Sequence, residues 1–353
     1  MDLLSEISSL KKDIELLKRE LDFYKMVATS SYVQKRFDAI GGTYTLNCMK
    51  PRTLNEKIIW LRENFFASCP ATYYYSDKYF FKYFIERLFG KGLTPQLLGV
   101  WNDPANIDFT KLPDKFVLKR TLSGGSYEVK IVDKSADDLP KLVSAAKRWV
   151  SDRLRPPGRI IAEKFLTPDS EGYITDYKIY VTRGKVLFCK IVRMKVGSKY
   201  RSNKCVTPEF EPLDIKNNHA TIKTTIQKPE NWNEMINFAI SVSNFFPFMR
   251  VDLYSDGKKF YAGELTDAPM QGLDPVDVKF DQKMGKQLDL PSPEEISAYN
   301  NTFYNLFPEL RQNLFELKKN VNTFRIEHNG KVISDVKDLP VPPSTVMLPL
   351  DIS

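Results

Sequence analysis

The stretch RVDLYSDGKKFYAGELT, Arg250 to Thr266, decides how this chain is read. It has the texture of two strands joined by a turn, and it sets Asp252 on one strand and Glu264 on the other, twelve residues apart. In a hairpin an even separation puts both side chains on one face if the loop has an odd number of residues. A loop of three or five residues centred on Lys258 makes the two acids direct cross-strand neighbours, with Cβ atoms about 4.5 to 5.5 Å apart. A tighter reversal at Ser255-Asp256-Gly257 leaves them on one face but about 14 Å apart along the strand, at ~3.4 Å per residue. The apolar pattern favours the odd loop, because Val251, Leu253, Tyr261 and Leu265 then share the opposite face. Directly opposed like charges destabilise a sheet unless something compensates. Hard oxygen ligands without Cys or His suit magnesium held between protein and nucleotide phosphates. The alternative from these residues alone is an ordinary hairpin with solvated acids.

The bulk of the chain narrows the function classes. At 353 residues and 42% hydrophobic content it is long enough for two or three subdomains with cores of their own. No apolar run approaches the roughly 20 residues that a spanning helix needs. The N-terminus, MDLLSEISSLKKDIELLKRE, carries charges throughout and lacks the apolar segment of a secretory signal, so a cytoplasmic protein is expected. Cys48, Cys69, Cys189 and Cys205 are scattered without metal-ligand spacing and read as reduced structural thiols. His219 and His328 are the two histidines, and neither sits in an HExxH or triad-like context, which argues against histidine chemistry. A net charge of +8 raises the odds of an anionic partner without choosing among nucleotide, acidic glycan, nucleic acid and membrane surface.

Along the chain, Leu3, Ile7, Leu10, Ile14, Leu17, Leu21 and Tyr24 follow a four-three spacing, with Ile7 and Ile14 at a positions and Leu3, Leu10 and Leu17 at d. That choice favours a parallel two-stranded coil over residues 3–24, and hence a homo-oligomer. The alternative is an amphipathic helix packed on its own domain. In TLNEKIIWLREN, Thr53 is placed to cap a helix and Glu56 to complete a capping box. YSDKYFFKYFIERLFG predicts a second helix that Gly90 stops. From Asp114 the runs become strand-like: KFVLKR, EVKIVDK, RIIAEKFL, then ITDYKIYVTRGKVLFCKIVRMK. KPENWNEMINFAISVSNFF and PEEISAYNNTFYNLFPELRQNLFELKK predict helices, FRIEHNGKVIS a small hairpin around Asn329-Gly330, and PVPPSTVMLP an extended tail. The order predicts an α+β protein with a mainly antiparallel β core and helices around it.

A second segment bears on the two acids. KFVLKRTLSGGSYEVKIVDKS reads as strand, glycine-bearing loop, strand, with Lys119 at the end of the first strand. The loop from Thr121 to Ser126 offers backbone N–H groups and hydroxyls suited to phosphate oxygens. It is neither a P-loop nor a GxGxxG opening a helix, and a Ser-Gly-Gly turn by itself is only a turn. Beside it stand RIIAEKFL, with Glu163 near its end, and TDYKIYV, with Lys178.

Strand lysine, flexible glycine loop, strand ending in Glu, second strand lysine and a hairpin carrying Asp and Glu together resemble the ATP-grasp fold. TLNEKIIWL, SDKYFFKYFI, GRIIAEKFL, DYKIYVTRGKV, NFFPFMRVDLY and GELTDAPMQG resemble more closely its teichuronopeptide-biosynthesis (TupA-like) branch, over roughly Arg52 to Leu290. The resemblance implies an α+β fold of two antiparallel-sheet subdomains gripping ATP. The expected divisions are 1–28 coil, 29–100 helical region, 101–166 subdomain with the glycine-rich lid, 167–290 subdomain with the metal site, and 291–353 helix, hairpin and tail.

Carried over by position, the resemblance implies that Lys119 and Lys178 contact ATP phosphates. Ser123, Gly124, Gly125 and Ser126 would form the lid, and Glu163, Lys164 and Phe165 the adenine hinge. Asp252 and Glu264 would hold one or two magnesium ions. Thr266 stands where many ATP-grasp enzymes have the third ligand, Asn, and Asp267 is a substitute for it. The lid, Thr121-Leu122-Ser123-Gly124-Gly125, departs from the His-Gly-Ser-Gly type of relatives. Arg250 and Arg193 are candidates for orienting phosphate or carboxylate oxygens, with a salt bridge to a nearby acid as the alternative for each.

The implied reaction is attack of a carboxylate on the γ-phosphoryl group of ATP, followed by capture of the acylphosphate by an amine. The implied partners are an anionic sugar or glycan acceptor, a uronate of a cell-surface polysaccharide, and an amine or amino acid. Lys195, Lys199, Arg201 and Lys204 around Tyr200 would receive such an acceptor, or form a solvated loop. No nucleic-acid fold motif accompanies them. A sugar kinase and a nucleotide-binding scaffold without catalysis are the competing readings.

Overall fold

The computed structural model describes residues 31–123, 128–151, 158–196, 201–215, 222, 226–256 and 258–308, together with 7, 10, 11, 13, 14, 17, 327, 328, 331 and 332. Residues 31–39 form α1. Helix α2 (Leu54–Leu61) starts at Thr53, whose hydroxyl accepts the Glu56 N–H at 3.2 Å. The Glu56 carboxylate in turn accepts the Thr53 and Arg52 N–H groups at 3.0 and 2.7 Å, so the expected capping box is present. After the short α3 (Thr72–Ser76), helix α4 (Lys78–Phe89) is capped by Asp77 and ends at Gly90, whose φ of 99° suits a residue without Cβ.

Among the described residues ten strands then build two antiparallel sheets. The first has the order β1 (Leu97–Trp101), β4 (Ile160–Lys164), β2 (Lys115–Arg120), β3 (Val129–Asp133), with α5 (Leu139–Ser151) on one face. The second has the order β10 (Phe260–Thr266), β9 (Met249–Ser255), β5 (Tyr173–Thr182), β6 (Lys185–Lys195), β7 (Arg201–Val206), β8 (Pro212–Leu213). Its apolar face carries Ile179, Val251 and Leu253 against Trp232, Met235 and Ala239 of α6 (Trp232–Ser243). Helices α7 (Val278–Gly285) and α8 (Pro293–Leu306) follow. Residues 309–326, which include the second part of the predicted late helix, lie outside the described residues, as does the Pro-rich tail. Glu327–His328 and Lys331–Val332 pair as the two strands β11 and β12 of the expected small hairpin.

The period-two alternation sorts each strand. In β2 and β4, Phe116, Leu118, Ile160 and Ala162 point into the core under α5, while Lys119, Ile161 and Glu163 point away from it. An aromatic cluster of Phe84, Phe246, Phe303 and Phe307 ties α4 to α8, with the Phe84 and Phe307 rings stacked at 5.4 Å. All four cysteines are buried. Among the described residues no helix is long and apolar enough to cross a membrane.

The β9–β10 hairpin reaches the expected opposition of Asp252 and Glu264 by an unexpected route. Ser255 pairs with Phe260, so the loop has four residues, 256–259, an even and not an odd number. The Asp256 carboxylate fixes that loop by accepting the N–H groups of Lys258 and Lys259 at 3.0 and 2.7 Å. An even loop alone would set Asp252 against Gly263. A bulge between Ala262 and Glu264 moves the register by one residue and brings Glu264 opposite Asp252. Gly263 is there because the Tyr254 ring lies over it: a Cβ would sit 2.4 Å from a ring carbon. The even loop also corrects the face of Tyr261, which pairs with Tyr254 beside Asp252, while Ala262 opposite Leu253 takes the core position.

Candidate functional site

The polar face of the six-stranded sheet is a lattice of alternating charges. Cross-strand register places Lys178 and Glu264 on either side of Asp252, and Lys190 beyond Lys178. Asp252 is 2% exposed. Arg250 donates to its two oxygens, Nε to Oδ1 at 2.6 Å and Nη2 to Oδ2 at 2.7 Å, and Lys178 Nζ reaches Oδ2 at 2.5 Å. Lys178 also contacts Asp176 Oδ2 at 2.6 Å, and Arg250 Nη2 donates to the Thr266 hydroxyl at 2.9 Å. Burial pushes the Asp252 carboxyl up, but Arg250 and Lys178 outweigh it and hold the group below the usual range. For Asp176 burial prevails over Lys178, and its carboxyl is raised. Burial works against the Lys178 ammonium, yet Asp176 and Asp252 keep it above its ordinary value.

The facing sheet repeats the motif with one acid between two lysines. Glu163, 4% exposed, contacts Lys82 Nζ at 2.6 Å and is also paired with Lys119. Burial raises this carboxyl, and the Lys119 and Lys82 charges overcome that to bring it down to about 2. Lys82 also donates to the Pro95 carbonyl at 2.5 Å, and burial lowers its ammonium. Lys78, the first residue of α4, donates to the Ser123 carbonyl at 2.8 Å and lies within 3.2 Å of its hydroxyl. Burial lowers the Lys78 ammonium, opposed chiefly by Glu264 of the other sheet. Lys78 therefore stands between the two sheets and holds the first residue of the glycine loop. At the neck of that loop Arg120, fully buried, donates to the Leu122 carbonyl at 2.7 Å and pairs with Glu128 at 3.4 Å.

Next to these clusters lies a cavity of about 880 Å³, lined by Lys164, Phe165, Leu166, Tyr177, Tyr254 and Tyr261 among others. It reaches Lys82 beside Glu163 and Tyr254 beside Asp252. Of the candidate hinge residues, Lys164 and Phe165 line this space and Glu163 lies beside it against Lys82, and the Lys164 N–H is already bonded to the Gln96 carbonyl at 2.9 Å.

The structure brings together Lys119 with Glu163, and Lys178, Arg250, Asp252 and Thr266 with Glu264 opposite. Gly124, Gly125 and Ser126 lie outside the described residues. Arg193 is elsewhere: it pairs with Asp169 at 2.6 Å and Glu171 at 3.3 Å and covers the Tyr173 ring, the salt bridge that was its alternative. Asp267, the substitute ligand, accepts the Tyr75 hydroxyl at 2.9 Å, and burial raises its carboxyl. Of the basic cluster, Lys195 and Arg201 are exposed and Lys204 is half-buried, with residues 197–200 outside the described set.

Sequence reasoning missed Lys78, Lys82 and Asp176. Each left a trace: Lys78 and Lys82 recur one turn apart in an aromatic helix that is otherwise buried, and Asp176 shares a strand face with Lys178.

The donor set can be tested against a magnesium ion. A carboxylate offers about four lone-pair sites, and Arg250 and Lys178 occupy three of those on Asp252. One remains, while the half-buried Glu264 carboxylate has no ion pair or hydrogen bond among the described residues. No group of three or more His, Cys, Asp or Glu side chains is gathered for a metal among the described residues. Two carboxylates thus fit a hard cation that takes its remaining ligands from phosphate and water, and do not form an all-protein cage.

Two antiparallel sheets facing each other across these lysines and acids are the architecture of an ATP-grasp protein. The profile of the family described as TupA-like ATPgrasp matches residues 56–289, most of the chain, and the chain belongs to that family. No curated protein matches it. Among solved structures, D-alanine–D-alanine ligase from Bacillus anthracis is 18% identical over 70% of this chain and 69% of that one, with a TM-score of 0.38. D-alanyl-alanine synthetase A from Vibrio cholerae O1 biovar eltor is 14% identical over 66% of each chain, with a TM-score of 0.40. The ATP-grasp ligase PsnB, complexed with minimal precursor, Mg and ADP, is 12% identical over 70% of this chain and 66% of that one, with a TM-score of 0.36.

Proposed function

We propose that this protein is an ATP- and magnesium-dependent ligase that joins an amine or amino acid to a carboxylate through an acylphosphate, in the cytoplasm. A uronic acid of a cell-surface polysaccharide is the proposed carboxylate partner. The observation that carries the reading is the pair of buried charge clusters, Glu163 and Lys119 of one sheet with Lys82 of α4, and Arg250–Asp252–Lys178 with Glu264 on the facing sheet. Such clusters supply preorganised charge to a phosphoryl group in flight, and they need no histidine or cysteine nucleophile. Membership of the TupA-like family and the +8 net charge favour an acidic glycan as the acceptor.

In this reading Lys119, Lys178 and Lys78 bear on the phosphates, and Ser123 to Ser126 cover them. Glu163, Lys164 and Phe165 border the adenine. Glu264 and the remaining lone pair of Asp252 would hold magnesium, with the Thr266 hydroxyl beside them, and the ion would neutralise phosphate charge. Arg250 keeps Asp252 ionised and oriented by its two-point contact. Arg193, engaged with Asp169 and Glu171, has no part in the phosphate site.

Calorimetry of ATP binding with and without magnesium, on the wild type and on Glu264→Gln, tests the nucleotide half. Magnesium-dependent binding that weakens in the variant is expected, and absence of binding to either protein removes the reading. ADP release in the presence of a uronate and an amine tests the acceptor half. The product mass then separates condensation, which loses water, from a kinase product, which gains a phosphoryl group.

A further inference from the structure

We propose that residues 3–25 pair with the same residues of a second copy of this chain as a parallel, in-register, two-stranded coiled coil. The proposal does not rest on the ligase reading. Ile7, Leu10, Lys11, Asp13, Ile14 and Leu17 are helical. Ile7, Leu10, Ile14 and Leu17 are 41%, 54%, 52% and 62% exposed. A helix packed on its own domain would bury that stripe, and these four residues are open on the single chain.

The flanking charges identify what covers it. With Ile7 and Ile14 at a, the g positions are Glu6, Asp13 and Glu20, and the e positions from the second heptad on are Lys11, Lys18 and Lys25. In a parallel dimer each g residue meets the e residue five positions later on the partner helix. The pairs are then Glu6 with Lys11, Asp13 with Lys18, and Glu20 with Lys25, opposite in sign in every case and doubled by the two-fold axis. An antiparallel pair would set g against g and e against e, acid on acid and lysine on lysine. Lys11 and Asp13 are both exposed beside the apolar stripe, where such pairing needs them. Ile at a with Leu at d adds the preference for two strands. Three heptads are short, so the pairing is reversible and concentration-dependent.

The test measures the solution mass of the full chain by sedimentation across the micromolar range. The wild type is expected to move from one toward two chain masses as concentration rises. Lys11→Glu/Lys18→Glu/Lys25→Glu leaves both flanks acidic, and Glu6→Lys/Asp13→Lys/Glu20→Lys leaves both basic. Each variant alone is expected to associate at least tenfold more weakly than wild type, and an equimolar mixture of the two to recover the dimer. Leu10→Cys places two thiols face to face at a d layer and is expected to link two copies on mild oxidation. A wild type that stays at one chain mass throughout overturns the proposal. Reversed variants that dimerise as well as wild type, a mixture that stays monomeric, or a Leu10→Cys chain that does not link overturn it equally.

Discussion

Replacing Lys82 by Met removes one of the two cations that hold Glu163 ionised inside the protein. Lys82 is 3% exposed, the Glu163 side chain 6%, and their contact is 2.6 Å, so solvent screens little of it. The Glu163 carboxyl lies at about 2 against an ordinary 4.5. At about 1.4 kcal/mol per pH unit, that gap is about 3 kcal/mol of stability at neutral pH, after burial has taken its share. The native carboxyl binds its proton less tightly than the unfolded one. The contribution is therefore complete above 4.5 and fades as pH falls toward about 2. Methionine keeps most of the side-chain volume, so the charge is the main loss, and Lys119 remains to meet Glu163. We expect Lys82→Met to lower the unfolding free energy by about 2–4 kcal/mol in urea titrations at neutral pH, less than the roughly 3–5 kcal/mol for leaving a buried ion without any partner, because Lys119 still meets Glu163. Adding Glu163→Gln and Lys119→Met should recover part of that loss, because no charge of the cluster then stays buried. A Lys82→Met chain within about 0.5 kcal/mol of wild type would refute the reasoning, since a change of that size is typical of a bland surface site. A triple variant no more stable than the single one would refute it as well.

Three other perturbations reach different parts of the molecule. Gly263→Ala puts a Cβ against the Tyr254 ring and should cost about 1–3 kcal/mol while weakening magnesium-dependent ATP binding; in a Tyr254→Ala background the same change should cost much less, as thermal unfolding of the double-mutant cycle would show. Asp176→Asn leaves Lys178 with Asp252 as its sole acid partner at that end, so magnesium titrated into the ATP complex should bind several-fold more weakly while binding without magnesium changes little. Asp281, which accepts the Asn55 N–H at 3.0 Å and the Tyr44 hydroxyl, is pushed by burial from 3.8 up to about 6. Its native form holds the proton more tightly than the unfolded one, so wild-type stability should decline as pH rises from 3.8 to about 6, and the Asp281→Asn chain should lack that component of the slope.

The local parts of the fold were legible because they depend on neighbours in the chain. Thr53 and Glu56 cap α2, Gly90 ends α4, and the strands around Lys119, Glu163 and Lys178 appear where alternation put them. The opposition of Asp252 and Glu264 was legible as an outcome and not as a mechanism. A regular ladder would need an odd loop, and the even loop is rescued by a bulge at Gly263, where the Tyr254 ring of the neighbouring strand leaves no room for a Cβ. The isolated glycine in FYAGELT was the trace of it.

What the residue order determined by itself was the set of elements, the residue types along the polar faces, and the heptad charges of residues 3–25. These follow from period, capping and turn chemistry within a few residues. Only the tertiary structure decided which charges meet. Lys82 and Glu163 are 81 positions apart in the chain, Lys178 and Asp252 are 74, and Lys78 reaches Ser123 across 45. Contacts of that span are set when strands distant in the chain pair and α4 packs against the first sheet, leaving a buried ion no partner but the one the packing supplies.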